Sequence, residues 1–104
     1  NMVEISEVLR LSPSDFINFS VTENPESISQ LSLTNLSQSS VAFKVKTSSH
    51  KSFLVSPAHG ILPPQGQTSL NIIFLKSEEA LQKQHKFLIQ ALKTNQLDSS
   101  KINW

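Results

Sequence analysis

Seven consecutive residues, Val41-Ala42-Phe43-Lys44-Val45-Lys46-Thr47, alternate strictly in character. In an extended chain, Val41, Phe43 and Val45 fall on one side, and Ala42, Lys44 and Lys46 on the other. A period of two built from β-branched and aromatic residues marks a strand with one face on a core and one face in water. The core face predicts that Phe43 is buried. The outer face carries two lysines with no acid close by in sequence.

Other segments follow the same pattern. Val8 to Leu11 reads as a short strand closed by Ser12-Pro13-Ser14, and Phe16 to Val21 as a second, alternating strand. Thr22 to Glu26 is a turn, because the residue before Pro25 is pushed out of the helical region. Ile28 to Leu36 sets Leu31 and Leu33 against Ser32 and Thr34, and a polar run from Asn35 to Ser40 leads into the strand at 41–47. Beyond a polar turn at Ser48 to Lys51 come Phe53-Leu54-Val55, ended by Ser56-Pro57, since Pro57 stops further ladder pairing. Gly60 and Pro63-Pro64-Gln65-Gly66 read as a loop. Leu70 to Leu75 is apolar on both faces and reads as a central, well-covered strand. Ser77 to Lys83 is the one helical candidate, with a Ser cap and acids in its first turn. His85 to Leu92 closes the set, with Phe87, Ile89 and Ala91 inward and Lys86, Leu88 and Gln90 outward. Short strands at this spacing predict an all-β, seven-stranded, Ig-like antiparallel β-sandwich with one short helix.

With 104 residues the chain suits a single domain, with a core sandwich over about 5–96 and a tail at 97–104 leading out of it. A net charge of +1 offers no basic surplus for nucleic acid. The distribution says more than the sum. From Ser27 to Ser77 there is no acid, yet this stretch holds Lys44, Lys46, Lys51 and Lys76, so a near-neutral chain can carry a positive face. Cysteine is absent, which excludes disulfides, thiolate catalysis and cysteine zinc sites. His50, His59 and His85 show no metal-ligand spacing and read as solvated polar residues. There is no G-x-S-x-G elbow and no glycine-rich phosphate loop, and Glu78-Glu79 suits a helix start better than acid–base work. The chain reads as a non-enzyme without a cofactor. Two N-x-S sequons, at Asn18 and Asn35, read as chance matches in a Ser-rich chain. No apolar run approaches the ~18–20 residues of a membrane span, and the first residues show no secretory leader. The chain opens on Asn1 rather than Met, so we expect a piece of a longer protein, with any membrane anchor outside it.

Two outer faces remain. Lys44 and Lys46 on one strand, and Lys86 and Leu88 on another, each read as ordinary solvated surface when taken alone. If the two strands share a sheet, lysines flank Leu88 and Ala42. Such a composite suits an extended peptide with acids around an aromatic, since charge steers encounter and an apolar pocket anchors it. Sequence does not decide between these two readings.

The segments Val41 to Thr47, Phe53 to Pro57, Gly60-Ile61-Leu62 and His85 to Gln90 resemble the major sperm protein (MSP) domain, and more closely its branch of VAMP-associated proteins (VAP). The likeness runs from Leu9 through the Asn35 turn to Trp104. It implies a seven-stranded Ig-like sandwich on the cytosolic face of the endoplasmic reticulum membrane, held there by an anchor outside this chain. It also implies binding of FFAT motifs, which are short acidic peptides with two phenylalanines, on lipid-transfer, tethering or SNARE-related proteins. By matching positions, Lys46 and Thr47 would meet the peptide core, and Lys86 with Leu88 would line the pocket for its aromatic. Lys44, Ser48 and Lys51 would serve the acidic flank, while Pro57 is structural, as are the inward Phe43 and Phe87. Leu88 stands where Met is frequent, and Ser48 where Thr is common. His50 replaces a usual Pro, Ala58 a usual Asn, and Ser56 a usual Arg, the last removing a positive charge from the expected face. The resemblance leaves room for a self-assembling cytoskeletal MSP, for a domain with a diverged binding face, and for a homodimer of the full-length protein.

Overall fold

The computed structural model describes residues 8–14, 16–19 and 26–104. Among them are seven strands: β1 (Leu9–Ser12), β2 (Glu26–Asn35), β3 (Val41–Thr47), β4 (Phe53–Ser56), β5 (His59–Leu62), β6 (Gln67–Leu75) and β7 (Phe87–Lys93). One short helix, α1 (Glu78–Leu81), and a 3₁₀ turn at Ser99–Lys101 complete the described elements. The strands form two antiparallel sheets, ordered β1-β2-β6-β4 and β5-β3-β7. The expected β-sandwich is what the chain builds.

The alternation at 41–47 sets the core. Val41, Phe43 and Val45 are buried on the inner side of β3, facing Leu31, Leu33, Leu70 and Ile72 of the opposite sheet. Phe43 is 2% exposed. It lies directly across from Gly60 on β5, where a Cβ would stand 2.9 Å from the Phe43 ring. The ring therefore occupies the volume that any larger residue at position 60 would need. At the other end of the sandwich Phe53, Phe74 and Phe87 meet, with Phe53 stacked on Phe74 at 5.0 Å and edge-on to Phe87 at 4.9 Å.

The structure corrects four expectations. Residues 16–19 are irregular rather than a strand, and residues 20 and 21 of that expected strand lie outside the described residues. Ile17 and Phe19 reach the core as side chains, while Asn18 O accepts from the Ser29 hydroxyl instead of from a ladder N–H. Second, His59 to Leu62 is a strand, not part of a loop. Third, β6 is central but not covered on both faces, for Asn71 is exposed and Ile73 only half-buried on its outer side. Fourth, Ala42 has the outward phase yet is 0% exposed. Its methyl sits in register between Ile61 and Leu92, larger side chains that close over it.

Loop chemistry fixes the ends. Asn35 is fully buried, and its Nδ2 donates to the carbonyls of Ser39 (2.8 Å), Leu62 (3.1 Å) and Pro63 (2.9 Å). Its Oδ1 accepts from the backbone N–H and the hydroxyl of Ser37. A side chain so engaged has no room for a glycan. In the turn that follows β5, Gly66 N donates to Pro63 O at 2.8 Å around Pro64 and Gln65. Gln65 takes φ 64°, and its Nε2 donates to Ser37 O. The Ser77 hydroxyl caps α1 by accepting from Ala80 N at 3.0 Å. Pro57 and Ala58 carry the chain from β4 in one sheet to β5 in the other, and Val45 N donates to Ala58 O. The 3₁₀ turn docks on β5 through a 2.7 Å hydrogen bond between His59 Nδ1 and Ser99 Oγ.

Three outcomes are expected. Phe43→Ala should lose about 3–5 kcal/mol in urea unfolding, because it empties the middle of the core. Gly60→Ala should lose about 1–3 kcal/mol by displacing the same ring. An unchanged unfolding midpoint in either would overturn this packing. The third concerns Asp98, whose Oδ1 accepts from Ser100 N (2.9 Å) and Ser100 Oγ (2.7 Å), holding its carboxyl below the ordinary value of 3.8. A depressed carboxyl stabilises when ionised, so protection of the Ser100 amide should persist above the ordinary aspartate range. It should fall away as pH drops through the lowered value, and hydrogen exchange followed by NMR reads this directly.

Candidate functional site

The two faces left separate by the sequence lie side by side. β3 and β7 pair so that Lys46 stands opposite Leu88, Lys44 opposite Gln90 and Ala42 opposite Leu92. On the other side β5 places His59 against Lys44 and Ile61 against Ala42. The outer surface of the three-stranded sheet is therefore a set of lateral rows. An apolar, closed row lies at one end, a polar row of His59, Lys44 and Gln90 in the middle, and Lys46 beside Leu88 at the open end. Lys46 is exposed and Leu88 is 56% exposed, while Lys44 is half-buried between its neighbours. An ammonium next to an unprotected leucine offers both a charge and an apolar seat.

Past the last ladder pair the strands stay joined by a two-way bond. Ser48 N donates to Lys86 O at 3.0 Å, and Lys86 N donates to Ser48 Oγ at 3.0 Å. This holds the base of Lys86 one step beyond Leu88. His85 locks the segment from below. Its Nε2 bonds Ala80 O at 2.7 Å, and its Nδ1 meets Ser49 Oγ at 2.6 Å. A carbonyl only accepts, so Nε2 carries the hydrogen, and in the neutral ring Nδ1 accepts from Ser49. The ring also lies edge-on to Phe53 at 5.1 Å. His85 is thus a half-buried structural bridge rather than the solvated residue expected from sequence; His59, bound to Ser99, also has a partner, and only His50 fits the solvated description.

Not every sequence-derived residue shares the face. Thr47 has the phase of Val45 and pairs with Phe87, so its side chain points away from Lys46, and its Oγ1 accepts from Ser49 N at 3.1 Å. Lys86 lies on the rim of an apolar cleft of about 590 Å³ between the sheets, walled by Leu11, Phe16, Ile17, Phe87 and Ile89. Leu88 is not among its walls, so the two do not line one pocket. Lys51 lies in the turn before β4 and lines a different cleft, which Ser48 also borders. Ser56 carries the outward phase of Leu54 on the opposite sheet, across from Asn71. The residue that stands in for a usual Arg therefore removes no charge from the row of Lys46 and Leu88. His59 and Gln90 are the members of the surface that sequence reasoning missed as site residues. The signal for His59 was Ile61-Leu62 just before two prolines, a short apolar run ending at a turn.

A family model for the MSP (major sperm protein) domain matches residues 8–103. The chain is similar to vesicle-associated protein 3-1 of Arabidopsis thaliana, 28% identical over 90 residues, which are 84% of this chain. It spans only 60% of the length of that relative. Among solved structures it is similar in fold to WR4, an MSP family member of C. elegans, with a TM-score of 0.67 and 23% identity, covering 90% of this chain and 82% of the other. The sandwich, its strand order and the family match over almost the whole length agree, and the chain belongs to the MSP domain family.

Proposed function

We propose that this domain is a peptide-binding adaptor that takes acidic FFAT-like motifs on the outer face of β3 and β7. The observation that carries the reading is the pairing of Lys46 with Leu88 across the two strands, with Lys86 and Ser48 one step further on. An extended peptide would set its aromatic against Leu88 and its acids toward Lys44, Lys46, Lys86 and Lys51. Thr47 would contribute through its backbone. The face is made of strands with fixed register, so little ordering accompanies binding on the protein side. Charge of one sign on the protein and the opposite sign on the peptide would speed encounter and make affinity salt-dependent. The similarity to a plant vesicle-associated protein supports partners that are proteins. It also supports work at a membrane, which in this reading is the cytosolic face of the endoplasmic reticulum. No catalytic step enters this reading.

Calorimetric titration with a short acidic peptide containing two phenylalanines should give one-to-one binding near micromolar, about −8 kcal/mol, weakened by added salt. Lys86→Asp with Leu88→Asp should abolish binding while leaving the melting temperature close to the parent's, since both side chains are exposed. Equal binding by that double variant would remove the face from consideration. Association of the domain with itself in sedimentation, without any peptide affinity, would favour a self-assembling MSP instead.

A further inference from the structure

Among the described residues β7 is the one long sheet edge left open. The strands at the other three edges, β1, β4 and β5, have four residues each, and β7 has seven. The β5 edge is also approached by the 3₁₀ turn through His59 and Ser99, whereas no described strand pairs with β7 on its far side. Two bonds fix the phase of the β3–β7 ladder: Ser48 N donates to Lys86 O, and Thr94 N to Ser40 O. Leu88, Gln90 and Leu92 therefore spend their backbone groups on β3, and the N–H and C=O groups of Phe87, Ile89, Ala91 and Lys93 point away from it. Such a row of alternate donors and acceptors is a template for one more strand.

The side chains along this edge are short of a neighbour too. Val45 and Ile89 stand opposite each other on the inner side of the sheet, yet Val45 is buried and Ile89 only half-buried, as is Phe87. Ile89 and Phe87 line the apolar cleft of about 590 Å³ between the sheets, together with Leu11, Leu31, Phe16 and Ile17. Leu88, between them in sequence, faces the other way, beside Lys46. The two apolar seats thus lie on opposite sides of one strand. A peptide laid flat on the outer face reaches Leu88 alone. A peptide paired with β7 reaches both, because consecutive residues of a strand point to opposite faces.

We propose that the acidic peptide binds as an added strand on β7, with one phenylalanine beside Leu88 and the adjacent one in the cleft between the sheets. This mode rests on the peptide reading above and gives the second aromatic a seat of its own. Backbone pairing supplies affinity, and the two seats supply sequence preference. Charge fits the same occupant. Lys86 and Lys93 stand at the two ends of the edge, Lys46 lies across from Leu88, and neither β3 nor β7 holds an acid. An acidic residue flanking the phenylalanine pair then meets a lysine in either strand direction.

The test is a scan in which an acidic peptide with two consecutive phenylalanines is N-methylated at one backbone amide at a time, read by calorimetry and by NMR of the complexes. Methylation at every second position should weaken binding about tenfold or more, because those amides donate to β7, while the positions between should stay within about twofold. The Ile89 and Ala91 amides should gain protection from hydrogen exchange, and one ring should show nuclear Overhauser contacts to Ile89, the other to Leu88. Replacing either phenylalanine by alanine should cost about tenfold. Methylation effects without alternation, with both rings on the Leu88 side, would overturn the added strand while sparing the face. Protection at Ile89 and Ala91 that rises with domain concentration, in the absence of peptide, would make a second copy the occupant of the edge and overturn the proposal as well. Failure of the unmethylated peptide to bind would remove the face and the strand together.

Discussion

The register between β3 and β7 is the constraint on which the surface depends. Slipping one strand by a single residue would turn its whole set of side chains to the other face. In β3 that would bring Lys44 and Lys46 into the core and expose Phe43, and an unpaired buried ammonium is strongly unfavourable. The burial of Val41, Phe43 and Val45 therefore fixes where Lys46 stands, and antiparallel pairing fixes Leu88 beside it. The proposed binding surface is the reverse side of the core pattern. This is why one heptapeptide could predict so much, and why Gly60, between His59 and Ile61 but on the inner side of β5, matters to it: the room it leaves for the Phe43 ring keeps β3 and β5 at ladder distance.

What could be read from the sequence divides along the same line. Strands whose side chains alternate because one face is buried, β2, β3 and β7, were visible, as was α1 from its Ser77 cap and first-turn acids. β5 was hidden because Gly60 lowers local strand character, while the reason for glycine there is a ring 17 residues earlier in the chain. Phe16 to Phe19 failed the opposite way. They alternate like a strand and supply core side chains, Phe19 packing against Phe53 and Phe74, but the backbone at 16–19 joins no ladder. Ala42 shows a limit of a different kind. Phase alone says which way a side chain points, whereas exposure also depends on the size of lateral neighbours, here Ile61 and Leu92.

The site residues were legible as a set but not as a geometry. Sequence supplied the acid-free stretch from Ser27 to Ser77 and a resemblance that named positions. Only the folded chain separates Lys44, Lys46 and Leu88 on the sheet from Lys86 on one cleft rim and Lys51 in another cleft, turns Thr47 away, and moves Ser56 to the far sheet. Substitutions that look damaging by position can thus be neutral by placement. A diverged binding face was a fair expectation from Ser56, yet the opposite sheet is where that residue points.

Ser48 shows how structure and recognition share atoms in this end of the molecule. Its backbone and hydroxyl both bond Lys86, prolonging the β3–β7 pair past the ladder, and its position borders the cleft that Lys51 also lines. His85 performs a parallel task underneath, tying Ser49 to Ala80 and so fastening the turn to α1. The bond from Lys86 N uses a lone pair of the Ser48 hydroxyl and leaves its hydrogen unspent. The asymmetry follows from ordinary accounting of hydrogen-bonding groups: turns and caps need acceptors for their orphan N–H groups, and hydroxyls that meet the need keep a hydrogen in reserve. The hydroxyls at this end of the sandwich are therefore placed by local satisfaction of the backbone.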